Sequence, residues 1–396
     1  MTSAAHAPRV ALVHDWLTGM RGGERVLEAL CRLLPAADLL TLLHVPGACP
    51  GPIENRVIRT SFLNSLPGVR RYYRHLLGLM PRAIESFDTS GYDVLISTSH
   101  CVAKGIRRGP EQLHVCYCFT PMRYIWAVAG DYHRSLGVSG LALKALTPRL
   151  KEWDRRTAAG VDLFIADSAC VAERIDQAYG RSSVVLHPPV NTDFFTPADR
   201  PREDFYLMVT ALAPYKKVDQ AVEACQLAGR RLVIIGSGPE MKKLRRQDGD
   251  SPHFQKAKMG TVPIFLGWRS DDVVRDHYRR CRALLFPQVE DAGIVPLEAF
   301  ACGAPVIALA QGGALETVRD AADAGISDPT GLLYGPQTPE ALAGAIAKFE
   351  SPEIQARLST PNLRRWAEQF SIERFLAKFK RIVDPLLAQR GFSAPW

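Results

Sequence analysis

The chain has 396 residues, 47% of them hydrophobic and 23% charged, with a formal net charge of +8. That composition excludes wholesale disorder and leaves room for two domains of ordinary size, while the basic balance suits anionic partners such as phosphates or acidic lipid without choosing among them. No apolar run reaches the ~18–20 residues of a membrane span, and nine scattered cysteines, odd in number and mostly in apolar runs, exclude a disulfide framework and read as buried reduced thiols.

From the amino end, Val10–His14 reads as a first strand. No basic start or long apolar stretch of the signal-peptide kind precedes it, so the protein is expected to be cytoplasmic, peripheral at the inner face of the cell membrane. Gly19-Met-Arg-Gly22-Gly23-Glu24 follows and leads into a helix over 24–34. Glycines at such a turn either admit backbone amides to a diphosphate at the helix start or merely tighten strand–helix packing.

Residues 55–84 carry six arginines (Arg56, Arg59, Arg70, Arg71, Arg74, Arg82) and no acid. Val69, Tyr72, Tyr73, Leu76, Leu77 and Met80 recur at helical spacing and predict an amphipathic helix with Arg70, Arg71 and Arg74 on its other face. Such a helix either lies on anionic lipid or packs its stripe on the core.

Strands are expected at 39–44, 94–97, 113–118, 163–166 and 184–186. Cys116 and Cys118 alternate along one of them and face the same side. Two polar stretches start at carboxyl ends of these strands: Ser97-Thr-Ser-His100-Cys-Val-Ala-Lys104-Gly, and His114 through Phe119-Thr120-Pro-Met-Arg123-Tyr124-Ile-Trp126-Ala127. Arg123 either reaches a phosphate or makes a structural ion pair. His100 either faces a ligand or is a satisfied structural histidine.

Prolines from 188 to 201 forbid helix and mark a stiff connector. The expected organisation is therefore an N-terminal domain over 1–187, a second over 188–370, and a closing helix and tail over 371–396 that packs back on the first. In the second domain the strands fall at 206–210, 232–235, 264–266, 283–286 and 306–309, with helices such as 219–228 and 297–302 between them. Strand–helix alternation with near-continuous apolar strands places the protein in the α/β class, as two Rossmann-like, doubly wound parallel sheets facing a cleft. Ligands in such sheets bind outside the carboxyl ends of the strands.

The densest motif is Phe286-Pro-Gln-Val-Glu290-Asp-Ala-Gly293-Ile294-Val295-Pro-Leu-Glu298. A buried strand ends, a loop follows, and a helix starts near Gly293 with free first-turn amides at Ile294 and Val295 that favour an anion. Glu290 and Glu298, with seven residues between them, are acceptors suited to hydroxyls on two parts of one ligand, or else a solvated loop acid and an ordinary helix acid. Gly236-Ser-Gly238 invites a dinucleotide reading, but Met241 stands where the third glycine would be.

On these residues the chain resembles glycosyltransferase family 4, whose signature is the Glu, seven residues, Glu of this strand–loop–helix. Thr210-Ala211-Leu-Ala-Pro-Tyr-Lys216-Lys217-Val-Asp219, Gly236-Ser-Gly238-Pro-Glu240, Gly267-Trp268 and Gln311-Gly312-Gly313 match further segments of the family. The resemblance implies a GT-B fold and retaining transfer of a hexose from a nucleotide-sugar. Glu290 would hold donor-sugar hydroxyls, Glu298 the ribose and Lys216 the diphosphate; Trp268 would lie at the base, with Gly22, Gly23, Gly236 and Arg123 around the donor.

A subset of the family, bacterial GDP-mannose-dependent mannosyltransferases of polysaccharide biosynthesis, implies mannose as the sugar and a polyprenyl-diphosphate-linked saccharide as acceptor. Arg70, Arg71, Tyr72, Tyr73 and Arg74 would then meet the anionic membrane, with no nucleic-acid partner. No cofactor or metal is expected beyond the donor itself. Alternatives are a UDP-hexose donor or a catalytically idle GT-B scaffold subunit. The chain departs from the family at Ala211, where an Arg is usual, and from the subset at Phe119 and Ala127, where His and Asp are common. His100 is the nearest substitute for the missing histidine.

Overall fold

The computed structural model describes residues 6–126, 138–244 and 262–396. The chain divides into two units, Met1–Pro189 with Phe375–Trp396, and Val190–Arg374. Seven parallel strands build the first: β1 Val10–His14, β2 Asp38–Thr41, β3 Ile58–Thr60, β4 Val94–Ser99, β5 Leu113–Cys118, β6 Leu163–Ala166 and β7 Ser183–Val185, in the order β3-β2-β1-β4-β5-β6-β7. Six build the second: β8 Tyr206–Val209, β9 Leu232–Ile235, β10 Ile264–Gly267, β11 Leu284–Phe286, β12 Val306–Leu309 and β13 Gly331–Tyr334, in the order β10-β9-β8-β11-β12-β13.

Both sheets are covered on both faces, which is why their strands read as unbroken apolar runs. In the second unit Leu207, Val233, Ile235, Leu284, Phe286, Val306 and Ala308 enter one core layer. Their neighbours Tyr206, Met208, Leu232, Ile234, Leu285 and Ile307 enter the other, as a period of two requires. Cys116 and Cys118 share one layer of the first unit. All nine cysteines are free; burial pushes the Cys31 and Cys281 thiols up to about 12, so they stay protonated.

Strand order reverses between β1 and β4 in the first sheet and between β8 and β11 in the second. At such a switch point the two connections leave toward opposite faces and open a crevice at the strand carboxyl ends. The pairing of β8 with β11 is slight, a single register pair of Leu207 with Leu284.

Two strands, β3 and β13, fall outside the stretches expected from the sequence. β3 is a three-residue edge strand with exposed Arg59 at its centre. β13 opens on Gly331, where a Cβ would lie 2.0 Å from the Val306 carbonyl oxygen.

The amphipathic helix expected within residues 55–84 does not form. Short 3-10 turns at Phe62–Ser65, Val69–Arg71 and Tyr73–Leu76 precede a helix at Met80–Glu85. Pro67 and left-handed Gly68 (φ 67°) start the break, and Tyr72 (φ −130°, ψ 6°) sits between turns outside helical geometry. The apolar stripe nevertheless faces inward: Val69, Tyr73, Leu77 and Met80 are buried in the first core layer, with Leu76 packed against it. Tyr73 is therefore a core residue rather than a surface contact, whereas Arg70, Arg71, Arg74 and Tyr72 are exposed. Arg56 turns away from the surface too, donating to the carbonyls of Cys31, Leu34 and Ala37 at the end of the helix Gly22–Leu33. Among the described residues no helix is long and apolar enough to cross a membrane.

The helix Ile372–Gln389 buries Phe375, Phe379, Val383 and Leu387 at four-residue spacing. Phe375 meets Tyr117 of β5 edge-on at 5.8 Å, and Arg390 beyond the helix lies 3.4 Å from Asp162.

A buried ion pair locks the helix Val138–Ala158 to the turn after β4. Lys104 Nζ lies 2.8 Å from Asp154 Oδ1 and donates to the Asp154 carbonyl (2.7 Å) and Thr157 Oγ1 (3.1 Å). Asp154 Oδ2 accepts from Trp126 Nε1 and the Tyr179 hydroxyl, each at 2.7 Å. The neighbouring Gly105 is required because a Cβ there would lie 2.4 Å from the Trp153 ring. Asp154→Asn leaves the Lys104 ammonium without its counter-charge, and is expected to cost roughly 3–5 kcal/mol, read as a fall in the urea midpoint of the unfolding transition.

Candidate functional site

In the first unit the switch point is organised by Asp15, directly after β1. Its buried carboxylate accepts four backbone amides, from His100 (2.7 Å) and Cys101 (3.0 Å) on Oδ2 and from Val102 (2.6 Å) and Ala103 (2.8 Å) on Oδ1. His100 Nδ1 lies 3.1 Å from Oδ2. Burial alone would raise this carboxyl, but the charge of His100 and hydrogen bonds from it outweigh burial and hold the carboxyl down at about 2.

The loop after β4 is thus pinned to the end of β1. His100 is fixed through Nδ1, stands edge-on to Trp16 (4.6 Å between centroids) and keeps its side chain 23% exposed. Its carbonyl accepts from the Arg123 amide (3.3 Å), and the Phe119 amide donates to the Ser99 carbonyl (2.9 Å).

Gly23 closes the same group, since a Cβ there would lie 3.2 Å from the Phe119 ring and 3.7 Å from His14. That contact gives Gly23 a packing reason of its own. His14 is buried, with Nδ1 2.7 Å from Thr98 Oγ1 and Nε2 4.0 Å from Glu24 Oε1. Glu24 Oε2 accepts the Arg21 amide ahead of the helix. The structure therefore sets Gly23 against Phe119, Phe119 beside His100, and the Arg123 backbone on the His100 carbonyl, with Gly22 next to Gly23 in the chain; Ala127 lies outside the described residues.

In the second unit β8 leads through residues 210–213 into a 3-10 turn, Pro214–Lys216, and then the helix Val218–Ala228. Lys217 between them is left-handed (φ 54°, ψ 37°), unusual for a residue with a Cβ, and ends the turn that aims Lys216. The Gly236–Gly238 turn explains this path. Cβ atoms there would fall 1.7 Å from the Thr210 carbonyl oxygen and 2.3 Å from that of Leu212. Its backbone holds the segment, Ile235 O accepting from Thr210 N and Ser237 O from Leu212 N, each at 3.0 Å. Gly236 and Gly238 thus have a local reason independent of any nucleotide.

β11 ends at Phe286, and the loop that follows carries Gln288 and Glu290 to left-handed Gly293 (φ 73°), which opens the helix Ile294–Ala301. Gly312 and Gly313 back this loop: their Cβ atoms would meet the Glu290 and Asp291 carbonyl oxygens at 2.5 Å, and Gly313 N donates to Glu290 O at 2.9 Å. Lys216 Nζ is in direct ionic contact with Glu290 Oε1 and stands 5.0 Å over the Tyr215 ring.

Glu298, in the second turn of its helix, accepts from the buried Tyr278 hydroxyl at 3.1 Å. Burial, then the Glu298 charge, pushes that hydroxyl well up. Ile294 and Val295 supply first-turn amides that have no partner within the helix. Trp268 is 72% exposed after β10, tied to this end of the sheet by Gly236 N donating to Gly267 O (2.9 Å). Ala211 is exposed and carries no charge to a ligand.

Sequence reasoning singled out Glu290 and Lys216, which meet, and Glu298, which sits on the helix the Glu290 loop leads into. It missed Asp15, Tyr278 and Gln288. Only Asp15 left a signal: an acidic residue at a loop start, directly after a strand whose first four residues are apolar.

Two family models match the chain, one described as Glycosyltransferase Family 4 over residues 20–194 and one as Glycosyl transferases group 1 over residues 190–366. A GDP-mannose-dependent alpha-(1-6)-phosphatidylinositol monomannoside mannosyltransferase of Mycobacterium tuberculosis is 29% identical over 221 residues, 49% of this chain and 54% of the relative. A D-inositol 3-phosphate glycosyltransferase of Geodermatophilus obscurus is 30% identical over 262 residues, 59% of this chain and 53% of the relative. The chain thus spans about half the length of the curated relatives it matches. Among solved structures, Anabaena HepE in complex with UDP shares the fold at a TM-score of 0.67 and 15% identity, over 95% of this chain and 100% of that one.

Because the Asp15 carboxyl is lowered from 3.8 to about 2, its stabilisation is complete above pH 3.8 and is lost as pH falls through about 2. A shift of that size corresponds to on the order of 2 kcal/mol. Asp15→Asn is expected to destabilise the first unit by this order at pH 6. The gap from the parent should narrow as pH drops from 4 toward 2, measured by denaturant titration at each pH.

Proposed function

The chain belongs to glycosyltransferase family 4, and on that premise we propose that it transfers a hexose, with retention, from a nucleotide-sugar to a lipid-linked saccharide in polysaccharide biosynthesis. The observation that carries this reading is the meeting of Lys216 and Glu290, brought from two different loops to one switch point. In the donor-bound state the Lys216 ammonium moves onto the diphosphate and Glu290 accepts from sugar hydroxyls. Glu298, which accepts from Tyr278, takes the ribose hydroxyls.

As the bond from the sugar's anomeric carbon to the diphosphate breaks, negative charge gathers on the leaving oxygen. The fixed cation and the first amides of the helix Ile294–Ala301 stabilise it there. The acceptor oxygen bonds to the anomeric carbon on the face the diphosphate leaves, and its proton passes to a leaving phosphate oxygen. No enzymic nucleophile and no metal enters this scheme.

GDP-mannose is the donor we favour, supported by the name of the mycobacterial relative. The acceptor proposed is a saccharide on polyprenyl diphosphate, met at the inner face of an anionic membrane through exposed Arg70, Arg71, Arg74 and Tyr72. A second reading, an idle scaffold subunit, is favoured by exposed Ala211 and by the Phe119 ring beside His100.

Thermal-shift titration with GDP, UDP, ADP and their sugar forms separates these readings. A ligand of the native state at a hundredfold its Kd adds about 2.7 kcal/mol, so GDP and GDP-mannose are expected to raise the melting temperature most. Glu290→Ala and Lys216→Ala should each lower kcat/KM with GDP-mannose by about 10²–10³-fold; unchanged turnover in both removes the proposed donor site, and a chain that binds donor without turnover is the scaffold. In liposome sedimentation the triple variant with Arg70, Arg71 and Arg74 changed to Glu is expected to leave the pellet of anionic vesicles. Equal pelleting of parent and variant rejects the membrane contact.

A further inference from the structure

Gln288, two residues before Glu290 in the same motif, was given no role by the sequence yet is almost wholly buried, 2% exposed. Its Nε2 lies 3.5 Å from Glu290 Oε1, the same oxygen that Lys216 contacts, while its own Oε1 is a buried acceptor with no hydrogen-bond partner. A carboxylate oxygen only accepts, so the amide nitrogen must face Glu290 and the amide oxygen is the orphan. The two amide atoms share one carbon, which puts the orphan acceptor beside the carboxylate. The loop bearing both residues is braced from another element: Gln337 Nε2 donates to the Pro287 carbonyl at 2.8 Å.

We propose that Gln288 reads the donor sugar together with Glu290, its amide nitrogen orienting the carboxylate and its amide oxygen accepting from a second hydroxyl of the same sugar. The inference rests on the glycosyltransferase reading above and deepens it. Glu290 Oε1 is supplied with donors from within the protein, Lys216 and Gln288. When the diphosphate draws Lys216 away, Gln288 is the donor that stays and keeps the carboxylate in place. The space Lys216 vacates is where the sugar enters, next to an acceptor that has nothing to accept. A buried acceptor left unpaired is unfavourable, and a hydroxyl arriving there removes that penalty. A sugar lacking that hydroxyl leaves the penalty in place, which is how a site built to bond a hydroxyl discriminates against the analogue without it.

The test is Gln288→Leu, close in volume and unable to hydrogen-bond, assayed with the favoured nucleotide-sugar, with its series of monodeoxy analogues, and with the sugar-free nucleoside diphosphate. In the parent protein one member of the series is expected to lose about tenfold in kcat/KM through the contact with Gln288. In Gln288→Leu the parent sugar should lose a similar factor, mainly in KM, and the penalty for that analogue should fall to about onefold. Nucleoside diphosphate affinity, which never involves the sugar contacts, should stay within about twofold. Unchanged discrimination across the series in Gln288→Leu overturns the proposal. So does loss of nucleoside diphosphate binding in the variant, which would mark Gln288 as a residue that only holds the loop. A parent chain that binds no nucleotide at all overturns the donor-site reading itself, and this inference with it.

Discussion

Where strand order reverses in a parallel sheet, two neighbouring strands send their connections to opposite faces, and no ladder continues past their ends to hold the loops. Both units meet this constraint, and the candidate residues stand where they do because of how each meets it. The first uses charge: a carboxylate sealed from water gathers four amides of the loop after β4 and presents His100 at a set angle. The second uses the absence of side chains, with glycines at 236, 238, 312 and 313 that let one stretch of backbone lie against another. A Cβ at 236 or 238 would displace the segment leading to Lys216, and one at 312 or 313 the loop bearing Glu290.

The two devices respond differently to change. A carboxylate anchor titrates, so its hold follows pH. A glycine contact has no charge to lose and fails only through bulk. The loop of Lys216 adds a third element, a left-handed Lys217, an arrangement that costs on the order of 1–2 kcal/mol in a residue with a Cβ. Packing on either side of it, by buried Leu212 and Val218, holds the conformation.

The α/β class was legible because burial on both faces removes polar residues from strands, and helices of period 3.6 separate them. Edge strands β3 and β13 were not, since one carries Arg59 at its centre and the other opens on a glycine. Glu290, Glu298 and Lys216 were legible from local spacing. Asp15 was not, because its partners lie 85 to 88 positions away and are amides, which any residue supplies. Tyr278 and Gln288 were hidden similarly, each meaningful only through a neighbour in space. Over residues 69–80 the apolar spacing identified the inward face but misjudged the element, because a chain of 3-10 turns can bury residues three and four apart much as an α-helix does.

The helix Ile372–Gln389 shows how connectivity and compactness part company. The second unit is one unbroken stretch of chain, whereas the first is completed by residues 375–396, including the phenylalanine that covers Tyr117. On the ribosome, domains form as their residues emerge. The unit synthesised later can therefore be finished sooner. The seven-stranded sheet, begun first, waits with an uncovered flank until the whole of its companion has been made, and is exposed to chaperones and to aggregation for that interval.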